Sequence, residues 1–126
     1  MAGTEKLFTK THEWIDAAGD RRRVGISSYA QDQLGDIVFV EFPAPGKPLA
    51  AGDEVCVIES CKATATVYAP LPGKLAAVND SLADAPEKIN HSPMDEGWLF
   101  ELEVDPAGGD GELLTAEQYQ QHLNEQ

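Results

Sequence analysis

Five residues, Glu59, Ser60, Cys61, Lys62 and Ala63, set one cation, one thiol and one hydroxyl at the junction of two strand-like runs, Glu54–Ser60 and Thr64–Tyr68. Glu59 and Lys62 are the only charges from Val55 to Pro70. The three residues Cys61–Ala63 leave room only for a tight hairpin. Lysine is almost never fully buried, so Lys62 is expected at an exposed tip. Such a lysine ordinarily does no more than solubilise a turn. Here its small neighbours, Ser60 and Ala63, leave the amine open to a modifying enzyme. An accessible amine on a stiff hairpin is a point for attaching a cofactor arm.

The other reactive side chains form no familiar set. Cys56 and Cys61 are an odd number of residues apart, which puts them on opposite faces of a strand and makes them poor disulfide partners. A reduced, cytoplasmic protein is the expectation. His12, His91 and His122 are scattered and give no zinc-ligand spacing with the cysteines. No nucleophile–base–orienter set and no phosphate-binding glycine motif is apparent, so the chain does not read as an enzyme.

The elements that must hold Lys62 are mostly strands. Candidates are Glu13–Asp16, Val24–Ile26, Asp36–Phe42, Glu54–Ser60, Thr64–Tyr68, Lys74–Val78 and Leu99–Val104, punctuated by Gly- and Pro-rich turns. "IVFVEF" is nearly all apolar and predicts a central strand covered on both faces. Ser28, with Gln31 three residues on and Gly35 at the end, predicts a short helix. Thr115 and Gln118 predict a capping box before a C-terminal helix with an apolar stripe of Leu114, Tyr119 and Leu123. Ser81–Pro93 reads as loop with a helical turn, and Asp105–Gly111 as loop. Trp14 and Trp98 are expected in or near the core, and His12 either at a strand edge or facing the arm, the structural role being preferred. Gly35, Gly46, Gly52 and Gly73 are expected in turns, and the basic "DRRR" of Asp20–Arg23 in a hairpin loop. "PGK" occurs at Pro45 and again at Pro72, with Lys62 near the midpoint, which suggests two similar halves folded about a hairpin.

The 126 residues fit a single domain, 1–126, large enough to bury a core. A formal net charge of −13, from 22 acidic and 9 basic residues, disfavours nucleic acid and anionic membranes. No signal peptide is seen, and no run approaches the roughly 18 apolar residues of a membrane helix.

"ESCKA" followed by "YAPLPGKL" resembles the lipoylation site of the glycine cleavage system H protein family. "THEW" (Thr11–Trp14), "VGISSYAQDQLGDIVFVEFPAPGK" (Val24–Lys47), "AGDEVCVIES" and "EGWLFEL" (Glu96–Leu102) resemble the family's other blocks in order and spacing. Biotin carriers place Met on both sides of the lysine and acyltransferase lipoyl domains place Asp before it, unlike Cys61 and Ala63 here. The resemblance implies a mainly β, lipoyl-domain-like barrel-sandwich hybrid. It would have two small antiparallel sheets, a short internal helix and a C-terminal helix. It implies lipoate in amide linkage on Lys62, attached by a lipoate-protein ligase or lipoyl synthesis enzymes. Glu59, Ser60, Cys61 and Ala63 would form the attachment motif, and Glu13 and Thr66 would belong to an arm-docking surface. The implied role is a non-catalytic carrier whose swinging arm serves partner enzymes.

Three positions depart from the family pattern. Thr66 stands where an acidic residue usually helps hold a positively charged amine, Ala65 replaces the usual Ser, and Cys61 the usual Val. A missing ionic contact of this kind amounts to about 1 kcal/mol at a partly exposed site. These changes fit better with H-like lipoate-binding proteins that act with heterodisulfide-reductase-like complexes in the oxidation of sulfur compounds. That pathway is the expectation. The alternative is glycine cleavage, with glycine decarboxylase, aminomethyltransferase and dihydrolipoamide dehydrogenase as partners.

Overall fold

The computed structural model describes residues 6–16, 21–42, 46, 48–104 and 113–124. In chain order its strands are β1 (Lys6–Phe8), β2 (Glu13–Asp16), β3 (Arg21–Ile26), β4 (Ile37–Glu41) and β5 (Pro48–Leu49). They continue with β6 (Glu54–Ser60), β7 (Thr64–Tyr68), β8 (Gly73–Val78) and β9 (Phe100–Val104). The helices are α1 (Ser28–Leu34), α2 (Ser81–Asp84), α3 (Lys88–His91) and α4 (Ala116–Asn124). Two antiparallel sheets result, one ordered β1-β2-β3-β9-β8-β5 and one ordered β4-β6-β7. The architecture is therefore mainly β with a C-terminal helix, as expected, and with three short internal helices among the described residues where one was expected.

Alternating apolar residues of both sheets meet in one core. Ile15, Val24, Val40, Ile58, Val67, Leu75, Phe100 and Leu102 are all buried there. A second cluster joins Phe8, Trp14 and Tyr119, with Leu114 and Leu123 packed against it. The stripe read from the sequence thus docks α4 on the large sheet. The Thr115–Gln118 box closes reciprocally: Thr115 N donates to Gln118 Oε1 at 3.0 Å and Gln118 N to Thr115 Oγ1 at 3.1 Å. Trp14 is fully buried and Trp98 half-buried, as expected.

The segment from β5 to β8 is one long hairpin folded about the Lys62 tip. Glu59 pairs with Thr64, Ile58 with Ala65 and Val57 with Thr66 in the small sheet. Leu49 pairs with Gly73 and Pro48 with Lys74 in the large one. The chain crosses between sheets where Gly52 N donates to Ala69 O at 2.8 Å and Ala69 N to Asp53 O at 2.9 Å. Gly46 and Gly52 take φ of 97° and 89°, which side-chain-bearing residues rarely adopt. The "PGK" echo thus reflects two arms of a hairpin lying side by side; Pro45 and Lys47 lie outside the described residues.

Several expectations need correction. "IVFVEF" is an edge strand, not a central one, and Val38 and Phe39 are 57% and 48% exposed. A bulge between Ile37 and Phe39 leaves Val38 without a partner and turns both side chains outward. The cap of α1 is Ser27, whose hydroxyl accepts from Ala30 N at 3.2 Å; Ser28 is the first helical residue. Arg21–Arg23 lie in β3, not in a loop, opposite Glu101 and Glu103 of β9; Asp20 lies outside the described residues. Gly73 is a strand residue, needed because a Cβ there would approach Glu103 O to 2.2 Å. Ser81–Pro93 holds two helical turns, α2 and α3. Strands β1 and β5 went unread in the sequence, and Asp105–Gly111 falls outside the described residues.

Asn90, on α3, ties the approach to the Lys62 hairpin. Its Oδ1 accepts from Ile37 N at 2.9 Å and its Nδ2 donates to Gly35 O at 2.7 Å. Between those two residues, Asp36 O accepts from Cys61 N at 3.0 Å. Removing the amide strands two backbone groups at once. Asn90→Ala is expected to destabilise the fold by about 1–3 kcal/mol, read by thermal denaturation, with faster amide exchange at Ile37 and Cys61. Unchanged exchange at Cys61 would show that the tip does not depend on Asn90.

Candidate functional site

Ser60 closes the β6–β7 turn with its own side chain. Its hydroxyl accepts from Lys62 N at 3.2 Å and Ala63 N at 3.0 Å, and donates to Ala63 O at 3.1 Å. Ser60 N donates to the same carbonyl at 2.8 Å. Ser60 thereby meets the Lys62 and Ala63 N–H groups and the Ala63 carbonyl inside the turn, while Cys61 N donates to Asp36 O, which fixes the tip without covering it. Cys61, Lys62 and Ala63 are exposed, and Glu59 points outward beside them.

The stem of Lys62 lies over Gly35, the residue that ends α1. A Cβ on Gly35 would stand 3.3 Å from Lys62 Cε and 3.7 Å from its Nζ. Gly35 has φ of 76° and its N–H donates to Gln31 O at 3.0 Å, closing the helix. Glycine here serves both the left-handed helix end and the lysine's passage. Sequence reasoning read Gly35 as a turn residue and missed the second role.

The preceding residue, Leu34, lines a cleft of about 290 Å³ that runs to Glu13. Thr11, His12, Ile26, Tyr29 and Ala30 form one side of it, and Ala65, Thr66 and Val67 of β7 the other. The structure thus brings Glu13 and Thr66 into one cleft, whose lining residue Leu34 immediately precedes Gly35. The cleft is apolar along much of its length and acidic at Glu13.

Glu13 is 2% exposed. Its Oε1 accepts from the hydroxyls of Thr9 and Thr11, both at 2.5 Å, and its Oε2 faces Tyr68 N at 3.5 Å. Burial pushes the Glu13 carboxyl above its usual range, and these hydrogen bonds oppose that only in part. It is a buried carboxylate with no basic partner among the described residues. Thr9 and Thr11 were missed as its partners, although Thr11 heads the "THEW" block.

His12 sits beside Glu13 with φ of 74°. Ser27 Oγ and Tyr119 Oη are 2.7 Å apart, and Tyr119 Oη and His12 Nδ1 are also 2.7 Å apart. Because Ser27 Oγ accepts from the α1 backbone, one consistent chain has Ser27 donating to Tyr119 and Tyr119 donating to a neutral imidazole. Burial, and then His122, lower the His12 pKa and favour that neutral form. The expected structural role holds: His12 links β2, α1 and α4 along one wall of the cleft.

The cysteines separate as their spacing implied. Cys56 is buried and Cys61 exposed, and both are free. Burial, then the charge of Glu13, push the Cys56 thiol far above its usual pKa, so it behaves as a core side chain. No cluster of metal-ligating residues occurs among the described residues.

Glu13 gives the fold a pH dependence of definite sign. Its folded pKa lies above the unfolded value of 4.5. The fold is therefore favoured at pH below 4.5 and loses stability as pH rises through the raised folded pKa. Gln cannot ionise. The melting temperature of Glu13→Gln minus that of the wild type should rise between pH 4 and pH 7. A difference that stays flat or falls would show that Glu13 is not raised.

Residues 6–126 match the family model described as "Glycine cleavage H-protein". A glycine cleavage system H protein of Photorhabdus laumondii is 46% identical over 123 residues, covering 97% of this chain and 95% of that protein. A probable glycine cleavage system H protein of Natronomonas pharaonis is 48% identical over 120 residues, covering 94% of each chain. The crystal structure of a glycine cleavage system H protein from Mycobacterium marinum aligns with a TM-score of 0.87 at 35% identity, covering 98% of this chain and 99% of that one. These relatives give the sulfur-oxidation expectation no support and fit the glycine-cleavage alternative better. With the fold, the hairpin and the matched length in agreement, the chain belongs to the glycine cleavage H-protein family.

Proposed function

We propose that this protein is the non-catalytic lipoyl carrier of a glycine cleavage system. It would carry the aminomethyl unit and electrons between glycine decarboxylase, aminomethyltransferase and dihydrolipoamide dehydrogenase. The observation that carries the reading is the juxtaposition of an exposed lysine on a self-closed turn with a cleft that ends at a buried carboxylate. Glu59, Ser60, Cys61 and Ala63 present Lys62 to a lipoate-protein ligase or the lipoyl synthesis enzymes.

The residues present suit an amide-linked lipoyl group. Lys62 is exposed on both sides of its tip, and Gly35 leaves its stem unobstructed. Leu34, Ile26, Ala30, Ala65 and Val67 give an apolar bed next to it. Lipoate, when bound, supplies a dithiolane that opens and closes by two-electron thiol–disulfide exchange. The chain's own residues bind and orient. Glu13 offers a desolvated anion whose ionisation a cationic amine would favour, and Thr9 and Thr11 aim it. Thr66 faces the same cleft with a hydroxyl in place of the family's usual acid, so Glu13 carries most of the electrostatic recognition. No helix among the described residues is long and apolar enough to cross a membrane.

The test is reconstitution. The lipoylated protein, added to glycine decarboxylase with glycine and labelled bicarbonate, should support exchange of label into glycine at a rate comparable to an authentic H protein. Lys62→Arg should support none. Failure of the lipoylated wild type to support exchange would return the question to the sulfur pathway.

A further inference from the structure

The two large apolar side chains exposed among the described residues, Val38 and Phe39, are neighbours on one strand. That strand, β4, is the edge of the small sheet, next to the β6–β7 hairpin that carries Lys62. Ile37 pairs with Ser60 and Phe39 with Glu59, so the pair lies at the base of the tip. The bulge is what faces both side chains outward; regular pairing would have buried one of them. Exposed Asp36, Glu41 and Glu59 surround the pair. Strands β4, β6 and β7 contain no Lys or Arg.

We infer that Val38 and Phe39 are the seat on which the decarboxylase of the proposed function docks. Its matching surface would be an apolar recess rimmed by Lys and Arg at the entrance that admits the arm. An apolar centre inside a charged rim is the usual anatomy of a specific interface. Charge selects the occupant: a second copy of this chain would bring another acidic rim and a net charge of −13 to the same face. A basic-rimmed partner is attracted, and docking there leaves the tip free to point into its active site.

This inference rests on the glycine-cleavage reading, and one titration separates the two. Exchange of labelled bicarbonate is measured against the concentration of carrier lipoylated to completion by intact mass. The variants are Val38→Ser with Phe39→Ser, Phe39→Ser alone, and Glu41→Lys. The double variant should raise the KM for carrier about tenfold at unchanged kcat, as expected when two apolar anchors are lost. Glu41→Lys should raise KM at low salt, with the difference vanishing at high salt. If the double variant melts early, Phe39→Ser is read instead. A rise in KM of less than about threefold with exchange intact overturns the docking seat alone. Dimerisation through this face in sedimentation, lost in the double variant, overturns it in favour of a second copy. No exchange by the wild type overturns the functional reading and this inference together.

Discussion

The three-residue turn between β6 and β7 is held by Ser60, whose side chain bonds the Lys62 and Ala63 backbone. One hydroxyl takes two N–H donors and gives one hydrogen bond to Ala63 O. Everything the tip does follows from that closure. Because Ser60 meets the Lys62 and Ala63 N–H groups, they need no cover from another element. Because the backbone of Cys61 is bonded to Asp36, and Asn90 holds the residues on either side of Asp36, the exposed tip is also fixed in place. The protein thereby presents an exposed amine at a defined position.

The rest of the fold extends this constraint outward. Pairing symmetric about the tip continues from β6–β7 into β5–β8, so one long hairpin spans both sheets. Its outer edge, β7, forms one wall of the cleft. The other wall comes from the Thr9–Glu13 turn and α1, locked to α4 through His12, Tyr119 and Ser27. A buried carboxylate such as Glu13 weakens the fold as it ionises.

Much of this was legible in the sequence. The short run Cys61–Ala63 between strand-like segments required a hairpin, and the motif around Lys62 singled out the family. The C-terminal helix was readable because its capping box and apolar stripe are both local. What escaped depends on tertiary structure. The bulge in β4 adds one residue without any composition signal, so "IVFVEF" read as buried on both faces. Arg21–Arg23 read as loop because their compensation by β9 is remote in sequence. Gly35 and Asn90 act through residues far along the chain. The preference for sulfur oxidation overweighted Cys61, Ala65 and Thr66. In the structure Cys61 is exposed at the tip, and Thr66 lines the same cleft as Glu13.

What sets Lys62 apart from other exposed lysines such as Lys10 and Lys74 is its place at the tip of a turn closed by Ser60. The protein also contains Lys6, Lys10, Lys47, Lys74 and Lys88. The most direct measurement is peptide mass mapping after incubation with a lipoate-protein ligase, lipoate and ATP. A single lipoyl increment, confined to the peptide containing Lys62, is the expected result. An unmodified Lys62, or an increment spread over other lysines, would contradict it.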